Sequence, residues 1–205
     1  DVLVDRSDHR LNALVLEEIK AMIRPGITTQ ELDAAAEGII RDHGGIPTFK
    51  GYPGPYPYPA TLTISINEEM VHGIPSGRRL TEGDIVSVDC GTTLDGFVGD
   101  SAFTIGVGEI DPQASRLIQV TRESLYKGIE MMLPGNHVGD VSAAIQAHVE
   151  GAGYHVPRQY TGHGVGREMH EPPQVPNFGV SGQGMELKEG MTIAIEPMVL
   201  VGTPR

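Results

Sequence analysis

Asp89 and Asp100 lie on either side of Leu94-Asp95-Gly96, and Asp-Gly between two runs rich in Val, Ile and Phe is a strong signal for a two-residue hairpin. The flanking runs, Ile85 to Gly91 and Phe97 to Ile105, should therefore pair antiparallel, with Asp89 facing Ala102 and Asp100 facing Gly91. That register makes the two carboxylates diagonal neighbours on one face. Like charges so placed repel and must be desolvated, a cost that disappears if a divalent cation lies between them. On spacing alone the plainer alternative stays open: two solvated aspartates on an edge hairpin.

A second set of donors follows much later. Tyr160-Thr-Gly-His163-Gly-Val-Gly sets an imidazole between glycines that let backbone approach closely. Glu196 stands inside Thr192-Ile-Ala-Ile-Glu-Pro-Met, where an ionised carboxylate is costly unless it is paired or holds a cation. Read singly, these are a hydrogen-bonded loop histidine and an edge-strand glutamate beside a proline. Read together, Asp, Asp, His and Glu form an oxygen-rich set that suits Mn, Fe, Co or Zn better than a thiolate site would. Carboxylates able to bridge point to two divalent metal ions, roughly 3.5 Å apart, sharing an activated water.

The elements that must position these donors are written twice. Arg6 to Arg24 carries Leu11, Leu14, Val15, Ile19, Met22 and Ile23 at helical spacing, and Pro25-Gly26 stops it. Thr28-Thr29-Gln30-Glu31 is a capping-box pattern that opens a second helix ending at Gly44-Gly45. Leu117 to Leu133, stopped by Pro134-Gly135, and a helix through Val141, Ala144, Ile145 and Val149 repeat that grammar. The strand after each pair also repeats, since Leu80-Thr-Glu-Gly-Asp-Ile-Val-Ser-Val-Asp89 aligns with Leu187-Lys-Glu-Gly-Met-Thr-Ile-Ala-Ile-Glu196, and Asp89 falls opposite Glu196. The expectation is a single α+β domain over 1–205, made of two pseudo-symmetric helix-helix-strand halves (about 6–110 and 111–205) around a shared antiparallel sheet.

Composition bounds the partners. A formal charge of -12 with scattered Lys and Arg opposes binding to a phosphate backbone, so no nucleic-acid binding is expected. A single cysteine, Cys90, rules out an internal disulfide, and the absence of a long apolar run or leader predicts no membrane association and a cytoplasmic setting. The chain opens at Asp1 and stops at Val-Gly-Thr-Pro-Arg directly after an apolar run, which reads as a C-terminally truncated fragment.

Four motifs, in this order, resemble the type I methionine aminopeptidases: Ser65-Ile-Asn-Glu-Glu-Met-Val-His72-Gly-Ile-Pro; Val88-Asp89-Cys-Gly with Gly99-Asp100; Gly162-His163-Gly-Val-Gly with Met169-His170-Glu-Pro-Pro; and Ile195-Glu196-Pro-Met. The likeness runs from about Asp8 to the last residue. It implies the pita-bread fold, a duplicated α+β architecture, with Asp89 a bidentate ligand of one metal, Asp100 bridging both, and His163 and Glu196 completing the other. It further implies that a bridging hydroxide on this dinuclear centre hydrolyses the bond after the N-terminal initiator methionine of peptides and nascent proteins, with the ribosome as a further partner. His72 and His170 would be catalytic contacts to substrate rather than ligands; taken alone, each is an ordinary surface or loop histidine. Phe49, Tyr52, Tyr58 and Met169 would line the pocket for the methionine side chain, although the proline-rich loop that holds the tyrosines also reads as a stiff polyproline-like ligand for a partner.

The family's fifth ligand, a bridging glutamate on a final strand, has no counterpart here, so the 205 residues should bind the second metal weakly and turn over poorly. Two rivals stand beside this reading: a prolidase or X-Pro aminopeptidase of the same fold, and a non-catalytic interaction module.

Overall fold

In the computed structural model, which describes residues 7–203, the chain divides into two compact units. One comprises Asp1–Asp111 with Gly166–Met169, the other Pro112–Val165 with His170–Arg205.

The first unit begins with α1 (Ser7–Met22) and α2 (Thr29–Asp42). Arg6, where the helical periodicity opens, lies outside the described residues. On α1 the buried apolar positions are Leu11, Val15, Leu16 and Ile19, the apolar stripe of an amphipathic helix. Thr28 caps α2 as its sequence predicts: its hydroxyl accepts from the Glu31 amide (3.1 Å) while the Glu31 carboxylate accepts from the Thr28 amide (2.8 Å). The strands are β1 (Ile46–Pro47), β2 (Leu62–Ile66), β3 (Ile85–Leu94) and β4 (Phe97–Gly106). β1 and β2 share one edge of β3, and β4 runs along the other, all antiparallel. Between helices and sheet lies a core of Leu32, Ile40, Leu62, Ile64, Val86, Val88, Cys90 and their neighbours.

The second unit carries α3 (Pro112–Glu130), α4 (Val138–Gly151), β5 (Thr161–Gly164), β6 (Glu171–Pro176) and β7 (Ile193–Ala194), with β5 central between β6 and β7. Its own core gathers Val138, Val141, Ile145, Val149, Val156, Val175 and Leu187.

The duplication extends to single hydrogen bonds. In the first unit Gly26 N–H donates to Leu80 O, Leu80 N–H to Ile27 O, and Gln30 N–H to Ser76 O; in the second Gly135 N–H donates to Leu187 O, Leu187 N–H to Asn136 O, and Gly139 N–H to Gln183 O. The isolated bridge Thr28↔Arg79 recurs as His137↔Glu186. Even the cap recurs, with Asp140 accepting from the His137 amide (2.7 Å) where Glu31 serves Thr28.

In both units the regular strand starts later than the repeated segment. Leu80 to Asp84 is spent on a turn, with Asp84 N–H donating to Thr81 O and the Asp84 carboxylate accepting from the Thr81 amide (2.8 Å), so β3 starts at Ile85. In the second unit Met191 N–H turns back to Lys188 O, and regular pairing is limited to Ile193 and Ala194. Among the described residues no helix is long and apolar enough to cross a membrane.

Candidate metal centre and substrate residues

The β3–β4 hairpin turns on Asp95 and Gly96, both at positive φ (51° and 81°), the backbone a type I′ turn requires. Its register is the one the Asp-Gly turn predicts: Asp89 opposite Ala102 and Asp100 opposite Gly91. Residues directly opposite in an antiparallel pair share a face, as do residues two apart on one strand. Asp89, Asp100 and the bare Cα of Gly91 therefore present the same face.

That bare Cα is occupied from above. A Cβ on Gly91 would stand 2.7 Å from the Phe49 ring, and Thr48 N–H, one residue earlier, donates to Gly91 O (2.9 Å). Phe49 is thereby seated, buried, on the face that carries both aspartates. Cys90 points the other way into the core. Burial pushes its thiol well above the ordinary range, and the charges of Asp89, Asp100 and Asp33 add to the shift. Cys90 should accordingly ignore a thiol reagent at pH 8 in the folded protein and react fully in denaturant; stoichiometric labelling of the native chain would contradict this burial.

Tyr58 is half-buried, with its hydroxyl 2.9 Å from Leu62 O and 3.0 Å from Gly73 O. Burial pushes its phenol up, with Asp33 and Asp89 adding to the effect, so the hydroxyl stays a donor. Asp33 on α2 accepts the Thr61 and Leu62 amides (2.9 and 2.8 Å) and so pins the start of β2; desolvation raises its own pKa against those two bonds. Tyr52 is exposed, its amide donating to Phe49 O (2.9 Å). Met169 is buried within the segment Gly166–Met169, which is held to β4 by Val98 N–H to Gly166 O (2.8 Å) and by the Arg167 guanidinium 4.8 Å over the Phe97 ring. His72 is exposed, with a positive φ of 61°.

In the second unit His163 is buried on β5, opposite Ala194 of β7 and Gln174 of β6. Both flanking glycines are sterically required, since a Cβ on Gly162 would lie 2.3 Å from Ala194 O and one on Gly164 2.3 Å from Pro172 O. His163 Nδ1 is 2.9 Å from Gly164 O. A carbonyl only accepts, so Nδ1 donates a proton to it. Nε2 lies 3.1 Å from Glu196 Oε1. Oε1 is shut off from solvent and receives no hydrogen bond. Either a proton or a cation can lie between them, and a histidine with Nδ1–H fixed on a carbonyl is the usual preparation of Nε2 for a metal. The His170 ring lies 4.3 Å from that of His163, tilted by 60°.

Pairing also relates His163 to the first unit. Ser65 pairs with Ser87 as His163 pairs with Ala194, and Ser87 and Ala194 hold equal places in the repeated strands, two residues before Asp89 and Glu196. His163 thus stands where the first unit has Ser65.

Two buried asparagines escaped the sequence reading. Asn12 donates to Cys90 O (2.7 Å), and Asn177 donates to Glu196 O (2.6 Å). Asn12 was detectable as a polar residue on the apolar stripe of α1; no pattern marks Asn177.

A model of metallopeptidase family M24 matches residues 6–203. Methionine aminopeptidase of Clostridium acetobutylicum is 52% identical over 189 residues, covering 92% of this chain and 74% of that protein. Methionine aminopeptidase 1 of Bacillus subtilis is 48% identical over 198 residues, covering 97% and 79%. The crystal structure of methionine aminopeptidase from Thermotoga maritima superposes with a TM-score of 0.94 at 46% identity, covering 98% of this chain and 80% of that one.

Proposed function

Because the chain belongs to metallopeptidase family M24, and within it to the methionine aminopeptidases with their pita-bread fold, we propose that it excises the initiator methionine of newly made proteins in the cytoplasm. One observation supports the chemistry: His163 Nε2 and Glu196 Oε1 lie 3.1 Å apart, with His163 Nδ1 committed to Gly164 O. Donors arranged so fit a divalent cation, and the aspartates diagonal to one another on β3 and β4 add the carboxylates that a second cation needs.

Asp89, Asp100, His163 and Glu196 hold the metals in this reading, a pair of Co, Mn, Fe or Zn ions, and the 205 residues act as one catalytic domain. When bound, the metals polarise the scissile carbonyl and make water acidic enough to react near neutral pH. The protein's own groups do the rest. Phe49, seated over Gly91, with Tyr52, Tyr58 and Met169, takes the methionine side chain, a thioether that packs well against aromatic rings. His170, a ring's distance from His163, stabilises charge developing on the carbonyl oxygen. His72 contacts the scissile nitrogen. Substrates arrive as nascent chains, which makes the ribosome a partner.

Cleavage of Met-Ala-Ser against Ala-Pro peptides tests this reading on metal-stripped and reloaded protein. The expected result is release of methionine that vanishes with chelator and returns with one of the four metals. Preferential cleavage of Ala-Pro would make the chain a proline-directed member of the family, and failure to bind any metal would overturn the reading altogether.

A further inference from the structure

We propose that the Tyr58 hydroxyl is a positioning group for His72, acting through the Gly73 carbonyl. The proposal rests on the reading of His72 as a substrate contact.

His72 holds a φ of 61°, a left-handed backbone that a residue with a Cβ adopts only when its surroundings over-determine it. The constraint lies on the next residue. Gly73 N–H donates to Ser65 Oγ (3.1 Å). Gly73 O accepts from the Ile64 amide (2.9 Å) and from the Tyr58 hydroxyl (3.0 Å). A Cβ on Gly73 would stand 2.2 Å from Ile64 O, so the peptide after His72 lies flat against β2 with no room to turn. Tyr58 is itself fixed, because Gly51 N–H donates to Tyr58 O (2.8 Å) and Tyr58 N–H to Tyr52 O (3.0 Å). These bonds close a loop whose prolines at 53, 55 and 57 have little freedom left to lose.

One phenolic proton serves two carbonyls, Leu62 O and Gly73 O, and so ties β2 to the His72 turn. The Ile64 bond keeps Gly73 O satisfied if that proton is lost, so the fold survives its removal while the turn gains freedom. Tyr58 is thus a positioning residue in addition to any contact it makes with substrate.

Tyr58→Phe in the full-length, metal-loaded protein removes this group alone. We expect kcat for a Met-Ala peptide to fall roughly tenfold, the scale of one lost hydrogen bond, with KM within about twofold. In a His72→Ala background the same change should have no further effect. Tyr58→Phe should also shift or broaden the His72 ring resonances of the metal-free protein while leaving those of His137 in place. If Tyr58→Phe destabilises the chain, Ser65→Ala frees the same peptide from its other side and should reproduce the loss of kcat. A rise in KM that persists in the His72→Ala background would make Tyr58 a pocket residue only and overturn the proposal, as would unmoved His72 resonances. Should the parent fail to release methionine at all, the functional reading falls, and the resonance measurement still decides whether Tyr58 positions His72.

Discussion

Glu196→Gln is expected to abolish peptide cleavage while leaving the metal-free protein about as stable as its parent. The two effects separate because of what faces the side chain. Glu196 Oε1 is buried 3.1 Å from Nε2 of His163, whose Nδ1 is held by Gly164 O. A glutamine of the same shape, which can both donate and accept, can keep a hydrogen bond to that nitrogen. The cation, by contrast, forfeits an anionic ligand. Disturbing a residue behind a ligand typically costs 10–100-fold in affinity or activity, so replacing a ligand should cost more than about a hundredfold in both. Calorimetric metal titration, thermal melting without metal and cleavage of a Met-Ala peptide would together check this. If the pair were only an imidazolium–carboxylate bridge, the variant would melt earlier at acidic pH and bind metal as the parent does.

The second large effect is expected of Gly162→Ala, a change of one methyl group. The added Cβ would stand 2.3 Å from Ala194 O, and the opposing atom is backbone that cannot swing aside. β5 must then part from β7 where His163 faces Ala194, which carries His163 away from Glu196 two residues further on. Overpacking of this kind typically costs 1–3 kcal/mol, and with backbone on both sides the upper end, about 3 kcal/mol, is expected from urea denaturation. Activity should fall with it, since the donor pair is separated even in molecules that stay folded. A variant that unfolds at the parent's urea midpoint would show that β5 and β7 can spread without cost.

Both predictions trace to features legible in the sequence to different degrees. The Asp95-Gly96 turn made the hairpin register readable residue by residue, because only one pairing puts those two residues at positive φ, and the diagonal placement of Asp89 and Asp100 followed. The glycines beside His163 announced a close backbone approach, and the structure shows what approaches: Ala194 O and Pro172 O. The capping box of α2 was equally plain. Elsewhere the repeated segments take in more than the regular strands. Leu80 to Asp84 and Leu187 to Thr192 repeat each other in sequence, yet turns closed by Asp84 N–H to Thr81 O and Met191 N–H to Lys188 O occupy them, which the repeat alone does not reveal. The seating of Phe49 over Gly91 and the bonds from Asn12 and Asn177 depend on which elements become neighbours. The match of Ser65 with His163 was hidden for a different reason: a hydroxyl and an imidazole share no sequence signal, and only strand pairing puts them in the same place.

The short return of the chain into the first unit also sets an order of events as the protein is made. The core around Leu32, Val86 and Val88 closes with Val107, so this half has what it needs to condense while α3 is still being synthesised. The Val98 amide and the Phe97 ring must wait longer, because Gly166 and Arg167 emerge only after the whole of α3 and α4. The hairpin that bears both aspartates therefore acquires its last contacts from the loop that joins His163 to His170. A nascent chain gains its stability early and its chemistry late.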